Sequence, residues 1–207
     1  MNAATNAPCR TILALAMGFA LALTACARTS AVEHDRVTVS DTFTVAVEEP
    51  WSRITETDPF GRDPPEIWTR NGLLLDAIYF FTDVEPGEPL FDPPGRRDET
   101  LPIFRADMTP PEIAELIETS LARMAGTSLV EASNLRPEPL GDNPGFRFDL
   151  HFVGDDEVAR RGFAVGAVVD DLLHVVLFWG TELHHYNLQR ADVERLIGSL
   201  RFISTGN

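Results

Sequence analysis

Two histidines stand side by side at His184-His185, with Tyr186 next. Adjacent imidazoles joined by an Asp or Glu can hold a cation. Neighbours in sequence point in different directions, however, and no third ligand is spaced to join them. The plainer reading is a surface pair at a strand-to-helix loop. Asp76 and His174 form a second pair of interest, because each interrupts an otherwise apolar strand. If those strands place both side chains on one face, they make a buried acid–imidazole couple with shifted proton affinities. A metal site at His184/His185, or a hydrolase built on Asp76/His174, is one functional reading. A buried polar residue satisfied by backbone is commoner, and no serine in a nucleophile elbow accompanies them. Asp76, His174, His184 and His185 therefore stand as binding candidates. No catalytic residue, metal site or cofactor is assigned.

Other chemistry is thinner still. Asp155-Asp156-Glu157 and Asp170-Asp171 read as solvated hairpin turns. The Asp142-Asn143 loop has too few spaced oxygens for a calcium-binding EF-hand, and no glycine-rich phosphate loop is present. Trp51, Trp68 and Trp179 are expected in the core or at its rim.

The elements that must position these residues can be read from periodicity. Phe43, Val45 and Val47 alternate, which predicts a strand ending at Pro50-Trp51. Asn71-Gly72 is a hairpin-turn signal. Leu73 to Phe81 is apolar except for Asp76, which predicts a central strand covered on both faces. Residues 55–65 are a Pro/Asp-rich loop, and residues 84–107 hold five prolines in a longer irregular segment. Thr109-Pro110-Pro111-Glu112 starts a helix with a capping box. Ile113, Leu116, Ile117, Leu121 and Met124 line one face of it, and Gly126 stops it. Strands follow at about 128–138, 145–153, 158–169 and 172–180. In the second of these, Phe146, Phe148, Leu150 and Phe152 are expected inward, with Arg147, Asp149 and His151 outward. A last helix over about 188–200 buries Val193, Leu196, Ile197 and Leu200.

The N-terminus carries an address. Arg10 is followed by thirteen residues without charge, 11–23. A membrane-spanning helix needs about 20 apolar residues, so a positive start and a short apolar run predict a secretory signal peptide. Leu23-Thr24-Ala25-Cys26 resembles the lipobox of bacterial lipoprotein precursors. That resemblance implies a signal over 1–25, lipidation of Cys26 as the first mature residue, and a polar tether over 26–40. Two or more acyl chains anchor stably where one does not. Ala25-Cys26-Ala27 also has the small-x-small form of an ordinary cleavage site, which would release a soluble protein. Ala27 after the cysteine resembles the pattern of outer-membrane sorting in a host with two membranes. Cys9 leaves with the signal, so the body has no free thiol and no disulfide.

The chain has a net charge of −15, and all 17 basic residues are Arg. Removing the signal, with one Arg and no acid, makes the body more acidic by one unit. Such a surface argues against nucleic acid, whose backbone needs clustered cations. It also argues against docking on anionic lipid through a basic patch.

The order is strands, long loop, helix, hairpin-linked strands, helix, which is an α+β layered domain. The strand ending at Pro50-Trp51, the helix 110–125, the run of hairpins and the closing Arg195-Leu196-Ile197-Gly198-Ser199-Leu200-Arg201-Phe202 resemble the PsbP-like fold. That fold is a twisted, mainly antiparallel sheet with helices packed on its faces, and the resemblance spans residues 41–204 as a single domain. The family includes photosystem accessory subunits, a nuclear-import factor that binds a GTPase, and bacterial lipoproteins of unknown role. It implies a non-catalytic binding or assembly module; with the lipobox, the expectation is a module held at an envelope membrane by a lipid, with a partner protein or another envelope component as what it binds. The sheet edge and the proline-rich loop are the surfaces it suggests.

Overall fold

A hairpin sits at the middle of the molecule. Strands β9 (Ala159–Val169) and β10 (Leu172–Thr181) pair from Leu172 opposite Val169 to Thr181 opposite Arg160. Asp170 and Asp171 turn the chain between them with φ of 50° and 65°. Two successive left-handed residues match the twist of a tight hairpin, and Asp tolerates that conformation. β6 (Asp76–Val84) pairs with the other side of β10. Side chains alternate across these strands. Val175, Leu177 and Trp179 enter one apolar cluster, and Val176 and Phe178 enter another on the opposite face. The expected central strand, covered on both faces, is therefore β6, with β10 beside it.

The computed structural model describes residues 29–33, 35–55, 64–91 and 101–203. The signal run, Cys9 and Cys26 lie outside the described residues, as do parts of both proline-rich loops. The remaining elements are β1 (Thr29–Val32), β2 (Asp35–Val39), β3 (Phe43–Val47), β4 (Trp51–Ile54), β5 (Glu66–Thr69), α1 (Pro110–Met124), β7 (Val130–Pro137), β8 (Phe146–Val153), α2 (His185–Gly198) and β11 (Arg201–Phe202). The large sheet runs β1-β4-β5-β6-β10-β9-β8-β7, and a small one runs β11-β3-β2. Every pairing is antiparallel.

The helices close the two faces. The Glu112 carboxylate accepts the Thr109 N–H and the Thr109 hydroxyl, each at 2.7 Å, which is the capping box expected from sequence. α1 then lays Ile113, Leu116, Ile117 and Leu121 on Phe104, Phe148 and the odd face of β10. Its chain leaves through Gly126 at φ 64°. α2 lays Val193, Leu196 and Ile197 over Phe163 and Phe178. Ser199 ends it, and its Oγ accepts the Ala46 N–H at 2.7 Å, which fastens the helix end to β3.

Four expectations change. Thr29–Val32 and Asp35–Val39 are strands and not a tether, so the described sheets include residues ahead of 41. β1 and β2 each bury a single residue, Val32 and Val39, so neither shows an alternating pattern. The chain resumes as a strand at Trp51 immediately after Pro50. Leu73-Leu74-Leu75 form a turn and not the start of β6, with Leu74 75% exposed. Arg147 faces inward in the sense that matters, because α2 covers that face and leaves it 6% exposed.

Gln189 is the one polar residue on the buried face of α2, 1% exposed, and neither amide atom has a protein partner. A desolvated amide costs about 1–3 kcal/mol. Gln189→Met keeps the length and removes the amide. It is expected to raise stability by about 1 kcal/mol in urea unfolding, and a lower denaturation midpoint would contradict that reading.

Candidate functional site

Asp76 is fully buried, and its surroundings are a turn rather than a couple. Its carboxylate accepts from Thr69 Oγ at 3.0 Å, the Arg70 N–H at 2.7 Å, the Asn71 N–H at 3.0 Å and the Asn71 side-chain amide at 2.8 Å. Thr69 Oγ in turn accepts the Gly72 N–H at 2.9 Å. Gly72 has φ 99°, which its missing Cβ permits. These bonds staple the β5–β6 turn in one conformation.

His174 lies at the other end of the paired strands. It is 3% exposed and packs edge-on to Phe43 and Phe202, with ring centres 5.6 and 5.1 Å away. Its Nδ1 accepts the Asp83 N–H at 3.2 Å, at a bulge where the β6–β10 register slips. Burial pushes the imidazole below its ordinary pKa, against the pull of Asp83 and Asp170. Asp76 stands opposite Gly180, six residues from His174 along β10, which is about 20 Å. The two share a face and never meet, so the acid–imidazole couple is not formed.

His184 is exposed and His185 half-buried at the start of α2. Their rings are perpendicular, 5.0 Å apart. His185 Nδ1 shares a 2.7 Å hydrogen bond with Thr181 Oγ. Among the described residues no three His, Cys, Asp or Glu side chains are placed to hold a metal ion.

Sequence reasoning missed the buried arginines. Arg160 is 5% exposed and holds both oxygens of Asp156, at 2.9 and 2.6 Å. It also donates to the Val158 carbonyl at 3.0 Å and the Leu74 carbonyl at 3.1 Å. The ring of Trp179 lies 5.2 Å from its guanidinium. Hydrogen bonds from Arg160, then from the Val158 N–H, hold the Asp156 carboxyl far below the usual range. Arg147 pairs with Glu138 at 3.2 Å and Glu194 at 3.0 Å while stacking 3.9 Å over Phe163. Burial would raise the Glu194 pKa, but hydrogen bonds from Arg190 and Arg147 outweigh it and hold the carboxyl ionised. Glu194 is thus an ion-pair partner and not a proton donor. A planar guanidinium can stack on a ring and grip a carboxylate at once, which Lys cannot. The signal in the sequence was arginine without lysine, set among aromatic residues in strands.

Two clefts remain. One of about 440 Å³ opens beside the end of β6, with Phe80 and Leu90 in its walls and Glu66, Asp83, Glu85 and Glu88 around it. The other, about 490 Å³, lies between α2 and the β7–β8 connection and carries Arg136, Arg147, Arg190, Glu138 and Glu194. Both have the size of ligand sites. Neither contains any of the four candidates from sequence.

No protein-family profile matches the chain, and no curated protein matches it. Solved structures do. The chain is similar to the solution structure of the cyanobacterial PsbP protein CyanoP from Synechocystis sp. PCC 6803, with a TM-score of 0.50 and 11% identity, covering 87% of this chain and 95% of that one. It is also similar, at a TM-score of 0.36 and 9% identity, to LpqN of Mycobacterium tuberculosis, described as involved in cell envelope biogenesis, with 84% and 90% of the two chains covered. The first likeness is one of fold: a PsbP-like α+β domain with a large antiparallel sheet and two helices. The second is too distant to bear on the fold.

Two changes separate these roles. Asp76→Ala strands three N–H donors, while the Thr69 hydroxyl keeps the residue-76 carbonyl as acceptor, and is expected to cost about 3 kcal/mol of stability; an unchanged melting temperature would contradict the staple. Burial disfavours the charged imidazole of His174 in the fold, while the unfolded chain binds a proton near pH 6.5. Its contribution to stability is therefore full above that pH and is lost as pH drops below it. His174→Leu should flatten the slope of melting temperature between pH 7.5 and 5.5, and an unaltered slope would remove His174 as its source.

Proposed function

We propose that this chain is a non-catalytic binding or assembly module, held at a bacterial envelope membrane by lipid on Cys26. The carrying observation is a spacing. Cys26 of the Leu23-Thr24-Ala25-Cys26 motif lies three residues before Thr29, where β1 begins. Cleavage before Cys26 would remove no described residue of either sheet, and lipidation there would consume the one thiol left after the signal.

Two further observations support the reading. The side chains that could do acid–base work are separated: Asp76 staples a turn, His174 accepts a backbone N–H, and His185 bonds to Thr181. Arg70, Arg147 and Arg160 are each gripped by carboxylates, and the chain's net charge is −15, which suits a protein partner and not nucleic acid.

Intact mass of the native protein, with membrane partitioning for wild type and Cys26→Ser, tests the anchor. The expected mature mass starts at Cys26 and carries acyl chains, and the variant leaves the membrane. A lipid-free product cut after Ala27 would overturn the anchor and describe a released soluble domain instead.

A further inference from the structure

Nine large apolar side chains are exposed among the described residues, and six of them lie at one end of the large sheet. They are Leu74, Leu75, Leu129, Val158, Leu183 and Leu188. Backbone and arginine contacts place them together. The Leu75 carbonyl accepts the Thr181 N–H at 2.9 Å, and the Leu129 carbonyl accepts the Val153 N–H at 3.1 Å. Arg160 joins the Leu74 and Val158 carbonyls through one guanidinium. Leu183 follows Thr181 by two residues, and Leu188 sits in the first turn of α2 with its N–H on the His184 carbonyl at 3.1 Å. Leu183 is 97% exposed and Leu74 75%.

Isolated exposed leucines need no explanation, but a concentration of them marks an interaction surface. These are also held rigidly. Asp76 staples the turn that carries Leu74 and Leu75, and Arg160 clamps that turn to the β8–β9 connection. A preorganised apolar surface loses little side-chain and loop freedom on binding.

The border of the patch decides what covers it. Asp155 and Glu157 are exposed beside Val158, and Glu182 stands next to Leu183 with His151 at 3.6 Å as its ion-pair partner among the described residues. Bringing these carboxylates to a lipid surface is unfavourable.

We propose that this end is the docking surface for a partner protein whose apolar patch is bordered by basic side chains. The proposal rests on the binding-module reading and not on the anchor. Its test is photocrosslinking of the full chain in the cells it comes from, with a benzophenone side chain at Leu183 and, for comparison, at the exposed Glu115 on α1. The expected result is one discrete protein adduct from position 183 and none from position 115. Leu74→Asp should lower its yield about tenfold, as 1.4 kcal/mol of lost binding would, with the melting temperature unchanged because Leu74 is exposed; Leu74→Met should keep it. No adduct, the same adduct from both positions, an adduct of twice the chain's own mass, or lipid adducts alone would overturn the proposal. Fractionating the same cells reports the anchor separately, so either reading can fail while the other stands.

Discussion

The structure depends on burying β6, β10 and β9 from both sides at once. β10 shows the constraint most sharply, since eight successive residues, Leu173 to Gly180, are out of contact with solvent and the two helices sit on opposite faces. A strand in that position can carry a polar side chain only if local groups satisfy it. His174 meets the requirement with the Asp83 N–H at a bulge, and Asp76 meets it with a turn. Each polar residue is used up by the place that tolerates it. Whatever this molecule does is therefore done at the ends of the sheet and on its rim, where turns and helix starts are exposed.

Arginine organises that rim. Arg160, Arg147 and Arg70 each contact an aromatic ring and an acid, and each joins elements distant in the chain: Arg160 reaches Leu74, Arg147 reaches Glu194, Arg70 reaches Asp192. The absence of lysine thus has a structural counterpart, because the flat guanidinium does two jobs in one position. The same arrangement polarises the molecule. Carboxylates gather around the cleft at one end of β6, and exposed leucines gather at the other. β6 is nine residues long, so the two ends stand about 30 Å apart.

Local signals carried through to structure. The capping box at Thr109, the Asp170-Asp171 hairpin and the alternation of Phe43, Val45 and Val47 each depend on a few neighbouring residues. Signals of longer range did not. Whether Asp76 meets His174 depends on strand register, and a bulge between Leu173 and Val175 together with the Asn71-Gly72 turn sets that register. Arg147 read as outward because alternation cannot show that α2 covers the second face of β8. The edge strands β1 and β2 were read as tether because each buries one residue. The candidate surface was hidden for a related reason: Leu73 to Leu75 read as strand, while Leu129 and Leu183 come from separate connections and Leu188 from the start of α2, which only the folded sheet brings together.

The central claim is that the leucine end of the sheet docks a protein and not a membrane. A spin label at Leu183 on the native chain in vesicles tests it most directly, and if Cys26 carries the proposed lipid no thiol competes for the label. Its relaxation by a paramagnetic ion chelated at the lipid headgroups would be measured. The account predicts the bulk value at Leu183. Strong relaxation at Leu183, with or without insertion into the acyl region, would contradict it and make the leucine end the membrane-facing one.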